Sequence, residues 1–139
     1  MATAVHPGEP EGVRHVLDSS ILIDLLRGRR EALELLVSLT NDRDEMWGVT
    51  PMRTEVLGGV RAGEEDRTAA LLDLLHWQDV TIEVADQAAA LARTWRASHG
   101  AIGTVDYLIA AATSLIGGRL LTLNTRHFPM IQGLEPPYR

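Results

Sequence analysis

The chain has 139 residues, a hydrophobic fraction of 45%, a formal net charge of −6 and no cysteine. That length suits one globular domain with a real core, and the missing thiols exclude disulfides and thiolate metal sites. Any metal must therefore be held by carboxylates, amides, histidines or water, and a polyanionic partner would need local basic ground or a bridging cation.

Residues Met1 to Gly12 hold two Pro, two Gly and two Glu without periodicity, and are expected to form a disordered extension ahead of a single domain at 13–139. The N-terminus lacks the basic and apolar regions of a signal peptide, and no apolar run is long enough to span a bilayer. A soluble, cytoplasmic protein is expected. The pattern predicts a first strand at Arg14 to Leu17, a short helix from Ser20 to Leu26 interrupted at Gly28, and an amphipathic helix from Arg30 to Leu39. Asn41 to Asp44 reads as a polar turn.

Met46 to Val49 predicts a second strand, and Thr50-Pro51 a helix start with a hydroxyl cap and proline at the first helical position. That helix carries Glu55 and runs to about Arg61. A further helix follows from Glu64 to Leu75, then a third strand at Val80 to Val84, then a helix capped by Asp86 that ends near Gly100. Thr104 is expected to cap the most apolar helix, Val105 to Ile116, with Gly117-Gly118 turning the chain into a fourth strand at Leu120 to Leu123.

Strands alternating with helices imply an α/β fold whose parallel sheet is covered on both faces. Asp18 and Asn124 then sit at the carboxyl ends of strands one and four. The helix after Thr104 must run antiparallel to strand four, which brings Asp106 to the same edge. Glu55 lies one turn into the helix after strand two, and Cβ vectors tilt toward a helix N-terminus, so it reaches back there too. Four segments distant in sequence thus converge on a pocket of oxygen donors suited to a hard divalent cation, the chemistry of a metal-dependent nuclease.

Each of these residues also has a structural use. Asp18 can cap the next helix, Glu55 can be a solvated helical glutamate and Asn124 a turn residue. Asp106, the only formally charged side chain between Val105 and Ile116, can simply serve the helix dipole. All thirteen basic residues are arginine, which suits bidentate phosphate contacts but equally follows from coding bias in a GC-rich genome.

Four stretches, Val16 to Gly28, Thr50 through Glu55, Asp106 to Ala112 and Leu121 to Phe128, stand in the order of a known family. The chain resembles a PIN domain, and within that family the VapC-type toxins of bacterial toxin–antitoxin pairs. The resemblance implies a three-layer sandwich with a central, mostly parallel sheet of four or five strands flanked by helices. It also implies a Mg²⁺- or Mn²⁺-dependent endoribonuclease, a hydrolase in which Asp18, Glu55 and Asp106 carry the metal and Ser20 supports the site. The family's fourth acidic position falls near Asn124, where an amide can coordinate or orient water but brings no charge, so a second tightly bound metal is not expected. Arg27, Arg126 and His127 are candidate RNA contacts. A cognate antitoxin that wraps the toxin and obstructs its site is the implied partner, and the leucine-rich helices permit a homodimer.

A receiver domain would need a lysine near the last strand, and this chain has none. A haloacid dehalogenase phosphatase would place a second Asp where Ser20 stands. The remaining alternative is a non-catalytic PIN-like subunit that acts on DNA through a protein complex, with Asn124 marking lost activity.

Overall fold

The strand β1 (Arg14–Leu17) takes the middle of the sheet because its alternate side chains are apolar on both faces: Val16 and Leu17 are fully buried on opposite sides. The computed structural model describes residues 12–139, so all of the expected N-terminal extension except Gly12 lies outside the described residues. In chain order the elements are β1, α1 (Ser19–Leu26), α2 (Arg30–Asn41), β2 (Glu45–Val49), α3 (Thr50–Gly58), α4 (Glu65–Asp73), β3 (His76–Gln78), α5 (Ile82–Trp95), α6 (Thr104–Leu115), β4 (Arg119–Leu121) and a closing 3₁₀ turn at Thr125–His127.

All strand pairings are parallel and the order is β3-β2-β1-β4, with Val16 opposite Trp47 on β2 and Leu17 opposite Leu121 on β4. The four strands therefore end at one edge of the sheet. Helices cover both faces over two separate cores, one joining Val16, Val49, Ile109 and Ala112 to α5 and α6, the other joining Leu17, Ile21, Leu22 and Leu72 to α1, α2 and α4. The expected three-layer α/β sandwich with four strands is what the chain adopts.

The third strand differs from its expected place. Val80 to Val84 is not a strand; β3 lies earlier, at His76–Gln78, and Ile82 and Val84 belong to the first turn of α5. Thr81, not Asp86, is the cap: its Oγ1 accepts the Val84 N–H at 3.2 Å. Ile82 is left 81% exposed while Val84 is buried, so the apolar alternation that suggested a strand is one turn of helix seen from outside. What locates β3 is Trp77, whose ring lies where a Cβ on Gly48 of β2 would be 2.4 Å from a ring carbon. The Trp77 indole N–H also donates to Leu72 O at 2.9 Å.

Smaller differences follow the same logic of caps. Gly103 rather than Thr104 precedes α6, Val49 rather than Thr50 precedes α3, and β4 ends at Leu121 instead of Leu123. Among the described residues no helix is long and apolar enough to cross a membrane.

Asp44, in the turn before β2, ties the start of β1 to that turn. Its Oδ1 accepts the Val13 N–H at 2.9 Å and its Oδ2 meets His15 Nε2 at 2.9 Å. The Val13 amide, opposed by burial and helped by His15, holds the Asp44 carboxyl below its usual range. A depressed carboxylate pKa contributes stability that is present above the unfolded value of about 3.9 and is lost as pH falls through the folded value. Asp44→Asn should therefore cost about 1 to 3 kcal/mol at pH 7. Urea unfolding at pH 7 and below pH 4 checks it, since the gap between variant and wild type should close on acidification.

Candidate functional site

The sheet reverses its strand order between β1 and β4, and ligands of open α/β sheets gather outside the carboxyl ends at such a switch point. Asp18 stands there. Its backbone continues the ladder, N–H to Leu121 O at 2.9 Å, and its carbonyl starts α1 by accepting from Ile21 and Leu22. Its side chain makes no cap hydrogen bond within α1. Instead Oδ2 accepts the Thr122 hydroxyl at 2.7 Å and the Ser20 hydroxyl at 3.4 Å.

Those two hydroxyls are themselves fixed from behind. Thr122 Oγ1 accepts the Asn124 N–H at 3.0 Å and Ser20 Oγ accepts the Leu123 N–H at 3.2 Å. Each hydroxyl thus has its acceptor side committed and its proton directed at Asp18. Asp18 is only 4% exposed, and burial pushes its pKa up; the hydrogen bond from Thr122, the Ser19 amide and Ser20 oppose that, while the charge of Asp106 adds to it.

Glu55 lies in the second turn of α3, the helix that follows β2, and its Oε2 accepts the Ser19 hydroxyl at 3.1 Å. It is exposed as a residue, yet partial burial of its carboxyl group raises its pKa, Ser19 opposes this, and the charges of Asp18 and Asp106 add to the rise. Asp106 occupies the first turn of α6; its Oδ2 accepts the Gly103 N–H at 3.2 Å and stands 3.3 Å from His127 Nδ1. Among the described residues, the hydroxyls bound to Asp18 and Glu55 and both contacts of Asp106 each fall on a single oxygen of their carboxylate.

These carboxylates feel one another's charge, but among the described residues no three Asp, Glu or His side chains close into a ready-made metal-ligand cluster. The donor set still fits a hard divalent cation: it is all oxygen, mutually repulsive, and partly desolvated at Asp18. A hard divalent cation that keeps several of its waters needs only one or two direct carboxylates.

The other expected site residues are placed less centrally. Asn124 is exposed and contributes its backbone N–H to Thr122. Arg27 is bound to Glu64 at 3.0 Å, so it faces a carboxylate of this chain. Arg126 is exposed and, with Asn124 and His127, lines a pocket of about 300 Å³. Two residues escaped sequence reasoning: Ser19, which holds Glu55, and Thr122, which is fully buried. A hydroxyl two residues before Asn124 was the available signal, but only pairing of β1 with β4 gives it an object. Larger grooves, about 970 Å³ along α5 and α6 and about 570 Å³ beside β4, are lined by none of the three carboxylates.

With this geometry in place, comparison with known proteins decides the lineage. The sequence profile of the PIN domain matches residues 15–133. The chain belongs to the PIN-domain family. It is 42% identical to Ribonuclease VapC19 of Mycobacterium tuberculosis over 88% of this chain and 98% of that one, and 38% identical to Ribonuclease VapC10 of the same organism over 88% and 92%. A toxin–antitoxin complex from Klebsiella pneumoniae contains a chain of similar structure, with a TM-score of 0.76, 27% identity, and coverage of 90% of this chain and 98% of that chain. In this PIN domain the elements that carry Asp18, Glu55 and Asp106 all lie within the matched span.

Burial, with a smaller addition from the charge of Asp106, raises the Asp18 pKa and so disfavours its charged form in the metal-free protein. Asp18→Asn should consequently raise its melting temperature by a few degrees, roughly 1 kcal/mol for a domain of this size. Differential scanning fluorimetry in chelator checks this; a lower melting temperature would mean that the hydroxyl contacts outweigh the burial of charge.

Proposed function

We propose that this chain is a metal-dependent endoribonuclease toxin that cleaves RNA phosphodiester bonds, inhibits translation and growth, and is neutralised by a cognate antitoxin. The observation that supports the reading is that Asp18, Glu55 and Asp106 stand at the same sheet edge, within reach of one another's charge, each held by a hydroxyl or amide of this chain. Its similarity to proteins named as ribonucleases supports the reaction, and its structural likeness to a chain of a toxin–antitoxin complex supports the partner.

In this reading Asp18, Glu55 and Asp106 hold one Mg²⁺ or Mn²⁺, which when bound offsets charge at the scissile phosphate and acidifies a water for attack. The chain's own groups prepare that site. Thr122 and Ser20 hold the Asp18 carboxylate against the sheet edge, Ser19 holds Glu55, and the Gly103 amide holds Asp106. Asn124 brings no fourth charge, which favours a single ion. Arg126 is exposed beside the site and is positioned to meet an RNA phosphate. Held by these carboxylates, a divalent cation would supply the local positive charge that a chain of net charge −6 lacks for a phosphate.

A second copy of the chain is a further proposed partner. Leu33 and Val37 on α2 remain 43% and 57% exposed, and Leu74 after α4 remains 55% exposed, so the single chain leaves these apolar side chains uncovered.

Asp18→Asn, Glu55→Gln and Asp106→Asn should each remove RNA cleavage and growth inhibition, and chelator should stop the wild type. A gel assay of cleavage with added Mn²⁺ measures it, and full activity in any one variant removes that residue from the site. Saturating metal should also stabilise the wild type by about 2.7 kcal/mol at one hundred times its dissociation constant. That corresponds to something on the order of 10 °C in melting temperature, a response Asp106→Asn should largely lose.

A further inference from the structure

His127 sits next to the site in sequence as an exposed-looking histidine, and RNA contact is the obvious use for it. The structure gives it a different neighbour. Its Nδ1 stands 3.3 Å from Asp106 Oδ2, the same oxygen that accepts the Gly103 amide at 3.2 Å. An ionised carboxylate offers only acceptor lone pairs, so a hydrogen bond across this 3.3 Å approach requires the ring nitrogen to be the donor.

The ring is also held in place by its backbone. The His127 N–H donates to Asn124 O at 3.0 Å, closing the 3₁₀ turn, and the next residue, Phe128, is 1% exposed in the core with its N–H on Thr125 O at 3.1 Å. The turn is tied upstream as well, since the Asn124 N–H donates to Thr122 Oγ1, which donates to Asp18. One continuous chain of contacts therefore runs from Asp18 through Thr122, the Asn124 backbone and His127 to Asp106. Two carboxylates from opposite ends of the sequence are set by the same short segment.

We propose that His127 is a positioning residue for Asp106: its Nδ1–H, together with the Gly103 amide, fixes Oδ2 and leaves Oδ1 for the divalent cation. This rests on the metal-centre reading above. It gives the histidine an effect on metal affinity that contact with RNA would not produce. Groups that orient a ligating side chain from behind typically change metal affinity by about 10- to 100-fold when removed.

The test is calorimetric titration of Mn²⁺ into the purified full chain without RNA, for wild type, H127A, H127N, H127Q and D106N, each with a melting curve in chelator to separate loss of fold from loss of affinity. The amide nitrogen of Asn occupies nearly the place of Nδ1, whereas that of Gln reaches toward the place of Nε2. H127A and H127Q should weaken Mn²⁺ binding by about tenfold or more, with H127N close to wild type. Wild-type affinity in H127A alongside loss in D106N overturns the proposal and leaves the metal centre standing. Equal weakening in H127N and H127A also overturns it, because donation from the Nδ1 position would then not suffice. Wild-type affinity in D106N would instead remove the metal-centre reading beneath the proposal.

Discussion

The hydrogen bond from Thr122 Oγ1 to Asp18 Oδ2, 2.7 Å long and buried, is the constraint on which the site depends. It joins the residue after β1 to the residue after β4, two strands that are neighbours in the sheet although about one hundred residues separate them in the chain. In a buried setting such a bond to a charged acceptor is worth more than a neutral one, and leaving the carboxylate without it would cost the full desolvation of the group. From this bond the segment Thr122 to His127 takes its course, and Asp106 meets that segment at its far end.

Parallel pairing explains why the acidic residues share one edge of the sheet. With every strand running the same way, the ends of β1, β2 and β4 share one edge, and each following segment begins there. Asp18 and Thr122 belong to the strand ends themselves, Glu55 to the helix leaving β2, and Asp106 to the helix whose return delivers β4. The two cores on either face hold these elements in place. Small exceptions in the packing, such as Gly48 beneath the Trp77 ring, serve the sheet and not the site.

Stability and the site pull in opposite directions. Asp44 is a carboxylate placed where two partners favour its charge, which lowers its pKa; Asp18 is a carboxylate buried within reach of another's charge, which raises its pKa. The same residue type thus has opposite effects through environment alone. A cation that binds only the folded state would offset the second, which is the physical link between this fold and its proposed activity.

Much of this was legible in the order of residues. Period and punctuation reveal the alternation of strands and helices, so the α/β class, the position of Asp18 after β1 and that of Asp106 in the first turn of an apolar helix follow from local rules. The place of β3 did not follow, because Val80 to Val84 alternates like a strand and the Thr81 cap outweighs that pattern only once α5 packs. Nor did the roles of Ser19, Thr122 and His127, since a hydroxyl or an imidazole has no preferred partner until distant strands are paired. Local sequence determines which elements form, through propensities that act within a few residues. Which oxygen each carboxylate has committed, and which it keeps, is decided only by the tertiary structure, because a hydrogen bond needs its partner within about 3 Å and the chain supplies that partner from far away.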